Sequence, residues 1–335
     1  MSARDIIVIG ASSGGVEVLT SLVAGLPPDL PAALFIVLHV SPDAPSMLPA
    51  ILNRAGHLPA SHAVDQEPIR LGRVYVAPPG LQTYISRGRM MVRRGPRENG
   101  QRPAIDPLFR TAARHYGSRV VGVILSGMLD DGTAGLGDVK QAGGVTVVQD
   151  PADAAFPYMP KNALAAVDVD LCVRAEALSH TIISLVNTSA PADNVLPAEV
   201  PVETVEESAS PELATRPDEL GKASHFTCPE CNGTLYEVEG EKLRFRCRVG
   251  HAYSEQAMNS AQDESVERAL WIALRALEER SELLNKLAEL ALNKGHDSMA
   301  ESYRGRSREV EENVRAIHNL ILTGRGATEA EADDG

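Results

Sequence analysis

Apolar residues fall along this chain in two rhythms, and the change between them divides it. In the first half, short apolar runs alternate with stretches of helical spacing. Ile6 to Ile9, Ala33 to His39, Arg73 to Pro78, Val120 to Leu125, Val145 to Gln149 and Asp170 to Val173 read as strands, the most apolar of them suited to burial on both faces. Val16 to Ala24, Ser46 to Arg54, Asp106 to His115, Ala134 to Ala142 and Pro160 to Val167 read as helices, with a chain break from Ser41-Pro42 through Pro45. Thr83 to Ser86 and Met90 to Arg93 flank Arg87-Gly88-Arg89 as a hairpin. This alternation predicts an α/β fold: a doubly wound, mostly parallel sheet with a β-hairpin insertion.

The second rhythm follows a gap. From Ser189 to Ala223 no apolar periodicity survives, and Pro, Ala, Ser, Thr and acidic residues predict a solvated, disordered linker. Farther on, Leu270, Leu274, Leu277, Leu284, Ala288 and Ala291 recur at three and four, as do Met299, Tyr303, Val310, Ile317 and Ile321. Gly295-His296-Asp297 separates the two sets and Ser298-x-x-Glu301 suggests a capping box, so an antiparallel helical hairpin is expected. It either packs on its neighbours or serves a helical partner or dimerisation.

Composition narrows the function classes. A length of 335 residues allows one large α/β domain and something smaller, and a net charge of −13 argues against nucleic acid. No apolar run approaches the ~18 residues of a membrane span, and no charged leader precedes Ile6, so a cytoplasmic protein without membrane insertion is expected. Arg87, Arg89, Arg93, Arg94, Arg97 and Arg102 form a local basic cluster, which is either a solvated face or a steering patch for an acidic partner.

Candidate chemistry sits where strands end. Gly10-Ala11-Ser12-Ser13-Gly14 fits the G-x-S-x-G elbow, in which a serine projects clear of the sheet. The same glycines could approach a pyrophosphate, as in short-chain dehydrogenases, but Tyr158 and Lys161 stand one residue too close for the Tyr-x-x-x-Lys pair of that chemistry. His39 ends the second strand, and Asp130 and Asp131 follow a third. A hydroxyl nucleophile, an imidazole base and a carboxylate to fix its tautomer are what acyl transfer needs, and Ser12, His39 and one of the two aspartates supply them.

Cys228-x-x-Cys231, a gap of fifteen and Cys247-x-x-x-His251 give two short-spaced ligand pairs, the spacing of a zinc ribbon with a closed S₃N shell. A structural zinc is expected there, with no cofactor needed for catalysis. Cys172, on a predicted strand, is expected to be a buried core residue.

These features converge on a family. Gly10-Ala11-Ser12-Ser13-Gly14-Gly15, His39 followed by Pro42, Arg102-Pro103-Ala104-Ile105-Asp106-Pro107-Leu108-Phe109, Gly127-Met128-x-x-Asp131-Gly132 and Met159-Pro160 make the chain from about Ile6 to Val186 resemble the catalytic domain of the chemotaxis protein-glutamate methylesterases, the CheB family. The resemblance implies Ser12 as nucleophile, His39 as base, Asp131 as third member, and the Met128 backbone N–H as an oxyanion donor with Ser13 in support. It further implies methylated chemoreceptors as substrate and allows glutamine deamidation as a second activity. Leu129 stands where the family usually has glycine, and the receiver domain that usually comes first is not expected in this chain. The non-enzymatic alternative is a signalling protein that docks partners through its ribbon and hairpin; the nucleotide-dependent oxidoreductase is a third reading. The expected organisation is a methylesterase domain over 1–188, a linker over 189–224, a zinc ribbon over 225–256, a helical hairpin over 257–324 and a disordered tail over 325–335.

Overall fold

A computed structural model describes residues 3–41, 46–188, 221–238 and 243–330. The Pro42 to Pro45 break, the linker as far as 220 and the tail over 331–335 lie outside the described residues. The chain divides into two compact units, Met1–Met258 and Asn259–Gly335.

The first unit is organised on a seven-stranded sheet of β1 (Ile6–Ala11), β2 (Ala33–Leu38), β3 (Ala60–His62), β4 (Arg73–Val76), β7 (Val120–Ile124), β8 (Val145–Gln149) and β9 (Leu171–Val173). Its order is β3-β4-β2-β1-β7-β8-β9, and every pairing is parallel. β1 and β2 are buried at each position, because helices cover both faces. Ile7, Ile9, Leu34 and Ile36 pack on one face with Leu19 and Leu22 of α1 (Gly15–Ala24), Leu52 of α2 (Leu48–Ala55) and Ile182 of α6 (Leu178–Val186). Val8, Phe35 and Val37 face the other side, toward Leu108 and Phe109 of α3 (Ile105–Tyr116), Leu136 of α4 (Thr133–Gln141) and Met159 of α5 (Tyr158–Ala166). The insertion is a hairpin of β5 (Gln82–Ser86) and β6 (Arg89–Arg93), whose Ile85 and Met90 join the second layer.

Gly10 fixes how closely α3 lies on the sheet: a Cβ there would stand 2.5 Å from Ile105 Cγ2. Sequence order reverses between β1 and β7, so the crevice of the sheet opens at their carboxyl ends.

Four antiparallel strands follow within the same unit: β10 (Lys222–Thr227), β11 (Thr234–Val238), β12 (Arg244–Cys247) and β13 (Ala252–Ser254). The first of these starts inside the span read as linker. The second unit contains most of α7 (Glu255–Asn293) and all of α8 (Asp297–Ala330). Gly295, at φ 74, turns the chain between them, and buried Ser281 and Ser307 meet at 3.0 Å, so the helices run antiparallel.

Several details differ from the sequence reading. β3 and α6 were not expected; the three residues of β3 are too few for a periodic signal. Cys172 is exposed, because β9 is an edge strand and turns that side chain outward. Met299 is also exposed, and Glu301 pairs with Arg308 at 3.0 Å rather than closing a capping box, since α8 already starts at Asp297.

Candidate active site

Ser12 follows directly on β1. Gly14, at φ 73, makes the turn into α1, and a Cβ there would stand 2.8 Å from both Ala155 Cβ and Ser126 Oγ. The turn is tied inward, with Ser12 N–H donating to Ser126 O at 2.9 Å and Gly15 N–H to Ser12 O at 3.0 Å.

His39 follows β2, and Asp131 lies seven residues beyond the end of β7. The His39 Nε2–H donates to Asp131 Oδ2 at 2.8 Å. Asp131 is 2% exposed and accepts further bonds from Ile105 N–H at 2.7 Å, and from Asn99 Nδ2 and Gly132 N–H at 3.0 Å each. Burial alone would raise the Asp131 pKa. The hydrogen bond and charge of His39 oppose it, together with Ile105 and Asn99, and the net direction is downward. The carboxylate is therefore held ionised beside the imidazole. Asp106, also buried, goes the other way: burial and the Asp131 charge push it up to about 7.

Ser12 and His39 line one cleft with Arg97, Gly100, Gln101 and Arg102. With Nε2 engaged by Asp131, the ring presents Nδ1 as its remaining nitrogen. No hydrogen bond joins Ser12 to His39 here, and such contacts commonly tighten only with substrate in place. The backbone N–H groups of Ser13 and Met128 carry no hydrogen bond among the described residues. Leu129 adopts φ 58, the left-handed region that glycine would fill without strain, and Asn162 Nδ2 holds its carbonyl at 2.7 Å. Asp130 takes no part in the His39 pair; it accepts from Ser254 Oγ at 2.8 Å.

The basic cluster disperses. Arg89 bonds the Gln66 carbonyl and Arg97 pairs with Glu230 at 3.2 Å, while Arg97 and Arg102 reach the cleft wall. Sequence reasoning missed Asn99, and gave Ile105 no role beyond its place in the Arg102 to Phe109 motif.

Cys228, Cys231, Cys247 and His251 converge, with all ligand atoms within 4.8 Å of one another. Cys231 Sγ to Cys247 Sγ is 3.6 Å, and His251 Nδ1 lies 3.5 Å from Cys247 Sγ and 3.6 Å from Cys228 Sγ. A tetrahedral zinc with ordinary bond lengths has edges of about 3.8 Å between sulfurs and about 3.6 Å from sulfur to nitrogen, so the donor set fits such an ion.

Comparison with known proteins identifies the family. A family profile described as CheB methylesterase matches residues 7–182, more than half of the chain. A protein of Anaeromyxobacter dehalogenans named protein-glutamate methylesterase/protein-glutamine glutaminase 2 is 40% identical over 166 residues, which cover 49% of each chain. A Leptospira interrogans protein, whose name assigns the same two activities provisionally, is 35% identical over 182 residues, or 54% of this chain and 94% of that one. Among solved structures, the Thermotoga maritima CheB methylesterase catalytic domain is similar with a TM-score of 0.53 and 32% identity, covering 56% of this chain and all of that one. The chain belongs to the CheB methylesterase family. It spans about half the length of the Anaeromyxobacter relative and nearly all of the Leptospira one. Among the described residues, no helix is long and apolar enough to cross a membrane.

Proposed function

We propose that this chain is a protein-glutamate methylesterase that hydrolyses glutamate γ-methyl esters on chemoreceptor-type proteins, with glutamine deamidation as a second activity. The observation that carries the reading is the His39–Asp131 pair, 2.8 Å across with Asp131 buried beneath the imidazole, in the cleft that holds Ser12. Ser12 Oγ attacks the γ-carbonyl carbon as its proton passes to His39 Nδ1, and Asp131 stabilises the imidazolium so formed. The N–H groups of Met128 and Ser13 receive the oxyanion. The tetrahedral adduct then expels the methoxy group, which leaves as methanol with the proton from His39. Water, deprotonated by the same imidazole, hydrolyses the γ-glutamyl ester of Ser12 to a carboxylate. Cationic Arg97 and Arg102 at the cleft wall suit an acidic helical substrate.

The assignment includes a structural zinc at Cys228, Cys231, Cys247 and His251, supported by the match of the donor distances to a tetrahedron. The composition supports a cytoplasmic location. Exposed Trp271, Ile272, Leu283 and Leu290 support a partner-binding or dimerising role for the helical hairpin. The decisive experiment is methanol release from a methylated chemoreceptor cytoplasmic fragment by the intact chain and by Ser12→Ala. Release by the intact chain alone is expected; no release from either, or equal release from both, would overturn the reading.

A further inference from the structure

Asn99 lies in the segment between β6 and α3, is buried, and its side-chain amide makes three hydrogen bonds to protein partners, using both N–H donors. One Nδ2 hydrogen goes to Asp131 Oδ1 at 3.0 Å and the other to Asp106 Oδ2 at 3.0 Å, while Oδ1 accepts from Ser254 N–H at 2.9 Å. The ionised Asp131 carboxylate on one side and the Ser254 N–H on the other permit only this orientation of the amide. Asn99 thus bridges the aspartate that holds His39 and a strand 155 residues away in the chain.

That strand, β13, belongs to the Cys/His module. It grips the backbone of the same segment: Asn99 N–H donates to Ala252 O at 2.8 Å and Ala252 N–H to Arg97 O at 3.3 Å. The module adds three charged contacts around this seam. Arg244 lies 3.7 Å from Asp106, Arg246 lies 3.9 Å from Glu98, and Arg97 pairs with Glu230. Ser254 Oγ also fixes Asp130. Two of the four clustered donors, Cys247 and His251, bracket the turn that leads into β13, and the Cys247 N–H bonds the His251 carbonyl at 2.9 Å. On the other side of the segment, Gly100, Gln101 and Arg102 line the cleft of Ser12.

We infer that Asn99 is a positioning residue for Asp131, and that the Cys/His module holds it in place through β13, so that the module is a working part of the catalytic apparatus. The inference rests on the esterase reading. Its physical basis is that a buried amide held by three partners in different directions has one low-energy position, and here that position is set jointly by the sheet and the module. The groups facing Asp131 are His39 from the end of β2, Asp106 from α3, neighbouring Asp130, and Arg244 from β12 beyond Asp106. Asn99 is one of the donors that favour the ionised carboxylate. Its removal raises the pH at which Asp131 takes up a proton.

The test compares the full chain with Asn99→Ala and Ser254→Pro, in methanol release from the receptor fragment across pH. The proline deletes the one N–H that meets the Asn99 amide and leaves that amide in place; Ser254→Ala, which removes only the Oγ contacts to Asp130 and Ala257, is the control. For Asn99→Ala, kcat is expected to fall about tenfold or more with KM little changed, and the acid limb of the pH profile to move to higher pH. For Ser254→Pro the same changes are expected at a few-fold. Variants are judged folded by cooperative melting, and if Asn99→Ala does not fold, Ser254→Pro decides. A folded variant with the kcat and acid limb of the parent overturns the inference, as does a loss confined to KM. An inactive parent chain would instead refute the esterase reading, so the two failures are distinguishable.

Discussion

The sheet end that carries Ser12 and the Cys/His module hold their shapes by different means. Around Ser12, position is set by burial: β1 and β2 are covered throughout, α3 is wedged on Gly10, and Ser12 and His39 extend from strands that cannot shift without opening two cores. The module buries only a few large side chains, notably Leu235, Phe245 and Tyr253, beside Cys228 and Cys247. A module of that size gains little from apolar burial alone, and its four converging donors are placed where a metal ion, as proposed above, would add what it lacks. On the zinc assignment, the first kind of site should tolerate loss of a single polar group with its frame intact, whereas the second should lose its frame with one ligand.

That contrast can be broken most sharply at Ser12. Ser12→Ala should lower methanol release by at least ~10³-fold while leaving the melting transition in place, because the hydroxyl supports no packing. Cys247→Ser should have the opposite profile. Zinc sites of this kind contribute roughly 10–16 kcal/mol of apparent folding free energy, so the variant should lose bound zinc by atomic spectroscopy and lose hydrogen-exchange protection over β10 to β13, with β1 and β7 still protected. Retained zinc or an unfolded sheet would each contradict the division drawn here.

Smaller effects sharpen the comparison within the sheet end. Asp106 is pushed up to about 7 by burial and the Asp131 charge, and burial also raises Asp130 and Asp138. Between about pH 4 and that value the folded chain keeps a proton that the unfolded chain has released, so these groups make stability fall as pH rises. Asp131 has the opposite sign: its folded pKa is depressed, and its contribution is present above the ordinary carboxylate range and lost below it. Denaturant midpoints should therefore be lower at about pH 8 than at about pH 5; a rise would contradict the assignment. Smallest of all, Leu129→Gly should raise stability by up to about 1 kcal/mol, seen as a higher melting temperature, because φ 58 strains leucine and not glycine.

How much of this could be read from sequence follows the same division. Continuous apolar strands announce themselves locally, and the residues just past them are placed by the fold class, which is why Ser12, His39 and the Asp130–Asp131 pair stood out. Asp131, and not Asp130, meets His39; sequence pattern left that choice open, and only the family resemblance made it. The four donors of the module were legible because their spacing is itself the signal. Asn99 was not, since its partners lie 7, 32 and 155 positions away and an asparagine between two elements looks like any turn residue. Likewise Arg97 and Arg102 read as a charged surface, and only the folding of their segment against β13 brings them to the cleft.

The close approach at Gly10 has a consequence for how this chain can drift in sequence. Ile105, the residue that leaves no room for a Cβ there, is the same residue whose N–H bonds Asp131. A methyl group added near the end of β1 would press on the anchor of the Asp131 carboxylate from beneath. Substitution at Gly10 would therefore be tolerated only with a smaller partner at position 105, and a saturation library of the two positions should return them as a matched pair.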